Sequence, residues 1–546
     1  MVIKCMNDFR FDVIIIGGGI TGAGIARDMS LRGIEVLLLE KSDLAEGTTG
    51  RCHAMVHSGG RYCVSDPEAA SECAVESKII FDIAPHISEP CGGYFMGVSD
   101  EDCAYGDRFT KSCKNAEVAV EEISPKLFLK SEPNCNPNAR KVYRVHDGYV
   151  DPFLLTIYNA FDATEHGAEV KTYCEVEELL IDDEKTVYGV RYVDKTTNTR
   201  HEATADLVIN ATGPWAARLE RDLDLEHNLQ IQPTAGTILV VKDRLVNSLI
   251  NRLRLPGDAD IIVPSHQSIL VGTTSYPAEV SELDSLLPSR REIEKIYNSA
   301  SYIIPTLKNH RLIRFYAGAR PLIAQSGSLR TSSRQFEIID YEKTSEYAGL
   351  ITIFGGKLTT YRLMAEKLTD LVCQKLGHKC KCITRSKHLP GGDGPVTMED
   401  FRRDLHVDEK TAFDMQYKWG TFYREFEDIC STCIESYRIQ NEPRTICECE
   451  NVTELELSWC NNVLGVRHLD DYRRRTRQGM GICQGLFCYY KLADLDIQWS
   501  GKSHSLVLQE MKTALEKRWK TEENGDPQLR RQIKLAKYMY LMGGNL

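Results

Sequence analysis

Apolar residues along this chain change their period in a fixed order. Phe11-Asp-Val-Ile-Ile-Ile-Gly17 is a nearly continuous apolar run and predicts a buried strand. Ile20 to Leu31 predicts a helix, and Gly33-Ile-Glu-Val-Leu-Leu-Leu-Glu40 predicts a second buried strand, so the chain opens as a βαβ unit. Between about 60 and 150 the pattern weakens among scattered cysteines, prolines and glycines, which reads as helices and loops of a covering region. From Val170 to Ile209 it becomes strand-rich, with Val187 to Val193 and Asp206 to Asn210 as the clearest runs. That stretch ends in the turn Ala211-Thr-Gly-Pro214, where the chain returns to the first sheet. Gly236 to Val241, Asp260 to Pro264 and Ser268 to Thr273 alternate like an antiparallel sheet. Leu350 to Phe354 is another buried strand, followed by Gly355-Gly-Lys-Leu-Thr-Thr360 and a helix from about Tyr361 to Leu376. Polar helical segments begin beyond Pro390-Gly-Gly392, Cys447 opens a separate cysteine module, and Leu529 to Met542 predicts a last helix.

A chain of 546 residues exceeds what one hydrophobic core serves, so several units are expected. Hydrophobic residues at 42% and charged residues at 27% indicate a folded globular protein. The net charge of −11 repels nucleic acid phosphates, which excludes that partner class and requires a local basic pocket for any anionic ligand. The first strand begins too early for a secretory signal, and no run of about 18 apolar residues offers a spanning helix. A cytoplasmic location is expected, with any membrane contact peripheral.

Gly17-Gly18-Gly19-Ile20-Thr21-Gly22 fits G-x-G-x-x-G directly after a strand and opening a helix, and Glu40 ends the next strand eighteen residues after Gly22. This is the setting of a dinucleotide site. Gly17 serves the turn, Gly19 the approach of backbone to a pyrophosphate, and Gly22 the packing of helix on strand, while Glu40 accepts from a ribose hydroxyl. FAD rather than NAD is expected from three later elements. Thr48-Thr49-Gly50-Arg51 offers N–H groups and a cation to a pyrophosphate. Ala211-Thr212-Gly213 and Gly355-Gly356-Lys357-Leu358-Thr359 are glycine turns at strand ends that let a flat ring lie against backbone.

The chain has 19 cysteines, a count that favours free thiols or metal ligands over disulfides in a large cytosolic chain. Cys447-x-Cys449, then 33 residues, then Cys483-x4-Cys488 supplies two close pairs of thiolates. Such grouping suits a [2Fe–2S] cluster, with zinc as the competing occupant. Cys380-x-Cys382 and Cys430-x2-Cys433 lack a matching second pair and read as ordinary thiols. The arginine run Arg473 to Arg477 reads as a solvated helix face or as a docking patch for an acidic electron-transfer partner.

Taken together, these motifs resemble the A-subunit family of anaerobic glycerol-3-phosphate dehydrogenase, within the wider D-amino-acid-oxidase-like flavoenzymes. The resemblance rests on Val13-Ile-Ile-Ile-Gly-Gly-Gly with Gly-Ala-Gly-Ile-Ala-Arg-Asp28, Gly50-Arg51, His57-Ser-Gly-Gly-Arg-Tyr62, Asp147-Gly-Tyr-Val-Asp-Pro152, Ala319-Arg-Pro321, Gly355 to Ala365 and the terminal cysteine module. It implies an α/β fold with a Rossmann-type FAD-binding domain, a discontinuous antiparallel-sheet substrate domain and a small C-terminal α-helical [2Fe–2S] module. The expected division is an oxidoreductase core over 1–380, with FAD-binding parts at about 1–85, 150–230 and 320–380 and substrate parts at about 86–149 and 231–319. A helical linker follows over 381–445, then a cluster domain over 446–500 similar to bacterioferritin-associated ferredoxin, and a helical end over 501–546.

The resemblance further implies oxidation of sn-glycerol 3-phosphate to dihydroxyacetone phosphate by hydride transfer to FAD. Electrons would leave through the cluster to companion B and C subunits and membrane quinone, at the inner face of the membrane. Arg320 matches the family's substrate-binding arginine, and its planar fork suits phosphate. Arg61 and Tyr62 match a pair beside the flavin, and Lys357 and Arg334 match residues on its dimethyl-ring or substrate side. His57 is a candidate base or an organiser of the flavin loop. Related aerobic enzymes carry a histidine in the first strand of the substrate floor, where this chain has Thr234-Ala-Gly-Thr237. Two other readings stand beside this one: a flavin-dependent amino-acid, opine or 2-hydroxyacid dehydrogenase, and a non-catalytic carrier in which flavin and cluster only relay charge.

Overall fold

The computed structural model describes residues 10–223, 225, 231–323, 335–426, 442–520 and 527–542. The opening unit forms as its pattern requires. The strand Arg10–Ile16 pairs in parallel with Val36–Leu39 on one side and with the long strand Thr199–Asn210 on the other. Side chains from Val13 to Ile16 are buried, as expected of a strand covered on both faces. The second strand is shorter than its apolar run, because Gly33, at φ +78°, still belongs to the turn that leaves the helix. The helix Ile20–Leu31 lies between the helices Pro152–Glu165 and Tyr361–Leu376. Small residues permit this approach: a Cβ on Gly24 would stand 2.8 Å from the ring of Tyr361.

The full nucleotide sheet has eight strands. Leu350–Gly355 joins Thr199–Asn210 in parallel, which returns the chain to the first sheet after an excursion of more than a hundred residues. That excursion builds a second, nine-stranded sheet. Its backbone is the antiparallel pairing of Ile231–Lys242 with Leu312–Ile323, in which Thr234 faces Arg320 and Gly236 faces Gly318. The covering region between 60 and 150 is more ordered than its weak pattern suggests. It holds the helices Pro67–Ile83 and Asp100–Asn115, and its strands Gly93–Gly97, Val120–Ile123 and Lys141–Val145 extend the second sheet. Gly93–Gly97 enters that sheet parallel to Leu249–Arg252, a long-range pairing that no local signal announces.

The cysteine region is largely helical, with Glu454–Val463, Asp471–Thr476 and Tyr489–Ser500 around the two-stranded ribbon of Thr445–Cys447 and Val452–Thr453. It shares one continuous apolar core with the nucleotide fold. Trp419 and Trp459 meet edge to face at 5.3 Å, and the Trp419 indole N–H donates to Glu456 at 2.8 Å. The last helix spans Pro527–Lys537 and ends in one π-helical turn, Tyr538–Met542; Leu529, Ile533 and Ala536 pack it onto the body.

The arginine run of the cysteine region is neither a solvated face nor a docking patch. Arg474 and Arg475 are each 1% exposed and both clasp Asp43, which lies just after the second nucleotide strand. Arg475 does so with two bonds, Nη1 to Oδ2 at 2.9 Å and Nη2 to Oδ1 at 3.0 Å. Burial alone would raise the Asp43 pKa, but the two guanidinium groups hold it down at about 2. Arg473 pairs with Asp470, and Arg477 bonds Glu450 at 2.9 Å. A run of charges in sequence carries no information about the carboxylates that a fold brings to it, and here those carboxylates neutralise it internally. Among the described residues no helix is long and apolar enough to cross a membrane.

Candidate functional site

Strand ends of both sheets and the loops beyond them enclose a cavity of about 1190 Å³. One end is the glycine turn. Gly17 has φ +113°, and a Cβ there would stand 2.7 Å from the Ala211 carbonyl oxygen, so the first strand and the Ala211-Thr212-Gly213 turn touch through backbone alone. A Cβ on Gly22 would stand 1.9 Å from the Gly17 carbonyl oxygen, which explains that position as helix-on-strand packing. Gly19 caps the helix without a side chain, and Thr49 fills the role from another loop: its hydroxyl accepts from the Ile20 N–H at 3.1 Å. Ile20 and Thr21 line the cavity beside it.

Glu40 faces the same end. Its carboxylate accepts from the Gly18 N–H at 2.6 Å and the Ser42 N–H at 2.9 Å, which fixes its orientation on the wall. Burial raises its pKa, opposed by those two bonds. The loop Thr48 to Arg51 folds as a short 3-10 turn. Thr48 donates to the Ala319 carbonyl at 2.7 Å, and Gly50 is required because a Cβ would meet the Phe153 ring at 2.5 Å. Arg51 lies on the cavity wall, and burial lowers its pKa against the pull of Glu46 and Asp284.

At the other end, Arg320 projects from the second sheet. Its Nη2 donates to Thr273 Oγ1 at 2.6 Å and lies 3.3 Å from the Thr274 carbonyl oxygen. Opposite stand His57, Tyr62 and Lys357, which share that wall with Arg320. The His57 and Tyr62 rings are 5.2 Å apart, and the Lys357 ammonium lies 5.1 Å over the Tyr62 ring. The His57 N–H donates to Thr359 Oγ1 at 3.0 Å, tying this loop to the Gly355-Gly356-Lys357-Leu358 turn. Both glycines of that turn have positive φ, and a Cβ on Gly356 would meet the Met364 sulfur at 2.4 Å. The loop is held from beneath by buried Asp147, which accepts from the Ser58 N–H at 2.7 Å and its hydroxyl at 2.6 Å. Burial pushes Asp147 up to about 6 in spite of those bonds.

Most residues singled out in the sequence thus meet around one cavity. Arg61 is placed differently: it is 8% exposed, with its guanidinium 3.5 Å from Asn251 Oδ1 and 3.4 Å from the Gly257 carbonyl oxygen, off the lining. Arg334 lies outside the described residues, as do Cys430 and Cys433. The sequence reading missed His53, whose ring meets His57 at 5.6 Å on the same wall, and Thr273, which orients Arg320. Neither stands in a turn or motif that marks it.

Cys447 approaches Cys488, and Cys449 approaches Cys483. Bonding to Cys449, together with N–H groups of Phe487, Gly485 and Leu486 and against burial, lowers Cys483 to about 6. The Gln478 amide donates to Cys488 Sγ at 2.9 Å, and the Gly479 N–H to Cys447. Among the described residues no three His, Cys, Asp or Glu side chains gather around one point as ligands for a single metal ion. The cysteines meet as two pairs.

Residues 12–371 match the model of the family described as DAO: FAD dependent oxidoreductase. The large FAD-family chain of the anaerobic glycerol-3-phosphate dehydrogenase of Escherichia coli K12, its A subunit, is 38% identical, over 95% of this chain and 93% of that protein. Its counterpart from Haemophilus influenzae is 37% identical, over 94% and 90%. Among solved structures, a glycerol-3-phosphate dehydrogenase from Bacillus halodurans complexed with FAD aligns with a TM-score of 0.66 at 24% identity, covering 97% of this chain and 95% of that one. The cavity's size, its side-chain-free turns and its oriented Glu40 fit the cofactor that names the family, so the chain belongs to the FAD-dependent oxidoreductases, in the branch of the anaerobic glycerol-3-phosphate dehydrogenase A subunits.

Proposed function

We propose that this chain oxidises sn-glycerol 3-phosphate to dihydroxyacetone phosphate. The observation that carries the reading is Arg320, a cation fixed by Thr273 on the cavity wall opposite His57 and Lys357. Bound FAD supplies the hydride acceptor for the secondary carbon. The backbone turns at Gly17, Gly19 and Ala211 to Gly213, with Glu40 and Thr48 to Arg51, hold its nucleotide end, and the turn Gly355 to Thr359 holds its ring end. Arg320 receives the phosphate, or the alcohol oxygen as its charge develops, through a planar fork that Lys lacks. The His57 imidazole takes the hydroxyl proton, steadied by Tyr62 and by the bond from its own N–H to Thr359. Lys357 adds a second cation, and Asp147 keeps the loop in register through Ser58. Arg61 acts from behind this wall.

The four cysteines fit a [2Fe–2S] cluster. Two pairs of thiols offer two ligands to each of two irons, whereas zinc asks for four around one centre. Donors from Gly479, Gly485, Leu486 and Gln478 face the sulfurs, as anionic ligands require. Such a cluster would supply one-electron steps between the flavin site and outside acceptors. The relatives are named as subunits, which supports companion chains. We assign to these the passage of electrons to membrane quinone, with the present chain peripheral to the inner face.

Anaerobic titration of the purified chain with sn-glycerol 3-phosphate tests both parts. The visible flavin band should bleach with substrate, and iron analysis should give about two irons per chain. A flavin unchanged by glycerol 3-phosphate but bleached by an amino acid or a 2-hydroxyacid would assign the site to that substrate class.

A further inference from the structure

Behind the wall that carries His57 and Tyr62 lie two thiols outside the cysteine module. Cys63 directly follows Tyr62, and Cys113 stands in the last turn of the helix Asp100–Asn115. Their sulfurs are 3.4 Å apart, and the residues are 1% and 0% exposed. The Cys113 S–H donates to Cys63, which donates onward to the Gly60 carbonyl at 3.1 Å. Around them are Phe95, Phe109, Tyr143 and Val145, an apolar core that needs no polar pair.

We propose that Cys63 and Cys113 are an oxidisable dithiol, closed to a disulfide by a small hydroperoxide, and that closure disables the neighbouring pocket. Cys63 is the attacking sulfur, because its thiolate accepts the Cys113 S–H. It attacks one peroxide oxygen, the O–O bond breaks, and Cys63 becomes a sulfenic acid as water leaves. The Cys113 sulfur then attacks the Cys63 sulfur and the S–O bond breaks, with the departing hydroxide taking the Cys113 proton. In sum two thiols and one hydrogen peroxide give one disulfide and two waters, the electron pair passing from sulfur to peroxide. Peroxide is close to water in size, as a buried pair behind the lining residue Tyr62 requires.

Closure has to move one of the two segments, since the sulfurs must approach by about 1.4 Å. The helix is anchored. Ser99 and Asp102 close a capping box at its start, and Asp102 also holds the Tyr302 hydroxyl at 2.6 Å and Arg252 Nε at 3.1 Å. A tight turn carries Cys63, with the Tyr62 and Cys63 N–H groups both donating to the Gly59 carbonyl. Drawing in Cys63 therefore moves Tyr62, and with it the surface against which His57 and Lys357 are set.

The thiol chemistry stands alone, whereas the effect on turnover rests on the glycerol 3-phosphate reading. Holoenzyme purified without oxygen is treated with a few equivalents of hydrogen peroxide, alkylated, digested and mapped by mass spectrometry. In parallel, flavin bleaching by glycerol 3-phosphate is timed before treatment, after it, and after dithiothreitol. The expected result is a Cys63–Cys113 cross-linked peptide, bleaching slowed by about a hundredfold, recovery with dithiothreitol, and no slowing in Cys113→Ser. Recovery of both residues as alkylated thiols would overturn the proposal. So would a cross-link that leaves bleaching unchanged, or equal slowing in Cys113→Ser. Untreated enzyme that glycerol 3-phosphate does not bleach would refute the substrate reading instead, and the peptide map would still decide the dithiol. If Cys113→Ser does not fold, Cys113→Ala serves as the same control.

Discussion

The guanidinium of Arg320 lies against the backbone of Gly236, so closely that a Cβ on Gly236 would stand 2.4 Å from Nη2. The glycine thus makes the room in which the arginine is held toward the cavity. Gly236→Ala should displace the guanidinium and lower kcat/KM by about a hundredfold, with FAD content unchanged. Steady-state kinetics and the flavin absorbance of the purified variant check this.

Arg320→Lys keeps the charge and loses the fork. A kcat/KM lower by about thirtyfold or more is expected, the loss of a buried charge-assisted bond of about 2 kcal/mol. Comparison with glycerol as substrate tells where the loss arises. If Arg320 binds phosphate, Arg320→Lys changes turnover of glycerol far less than that of glycerol 3-phosphate.

Buried Asp147 gives the pocket loop a pH dependence. Its pKa is raised to about 6 in the fold, from about 3.9 in an unfolded chain. The folded protein therefore holds the extra proton between those values. Stability from this group is fully present below about pH 4 and is lost as pH rises through 6. Asp147→Asn should remove that part of the slope: the difference in Tm between wild type and variant should change between pH 4 and 6 and be constant above 7. Thermal unfolding in a pH series measures it.

How much of this was legible in the sequence depended on whether the signal was local. The helix Ile20–Leu31, its glycine turn and Glu40 lie within one βαβ unit, where each residue's role follows from near neighbours. The same holds for the turn at Gly355 and the helix that follows it. What escaped was set by distant partners. Arg473 to Arg477 read as solvated because their carboxylates lie at Asp43, Asp470 and Glu450. Arg61 shares a motif with Tyr62, but Asn251 and Gly257 draw it behind the wall. The strand Gly93–Gly97 pairs with Leu249–Arg252 across more than 150 positions, beyond any periodicity.

Cys449→Ser should lower iron content toward zero while the flavin remains and still bleaches with substrate. Metal analysis and visible spectra of the same sample separate the two centres. Loss of FAD together with iron would show that the two sites do not load independently.

Asp43→Asn should leave two buried guanidinium groups short of their counter-charge. Breaking a buried pair of this kind costs about 3–5 kcal/mol. Denaturant unfolding should show the loss, and a second change, Arg474→Met in the same chain, should recover part of it. Recovery would be absent if the two residues acted separately.

The clasp between Asp43 and Arg474 with Arg475 spans nearly the whole chain, and this has a consequence for how the protein is made. A ribosome releases residue 43 long before residue 475 exists, so the nascent nucleotide half waits with a carboxylate whose eventual burial has no counter-ion yet. Final closure of its wall is thus deferred until synthesis is nearly complete, and a polypeptide stopped short of the arginines would leave that half unfinished.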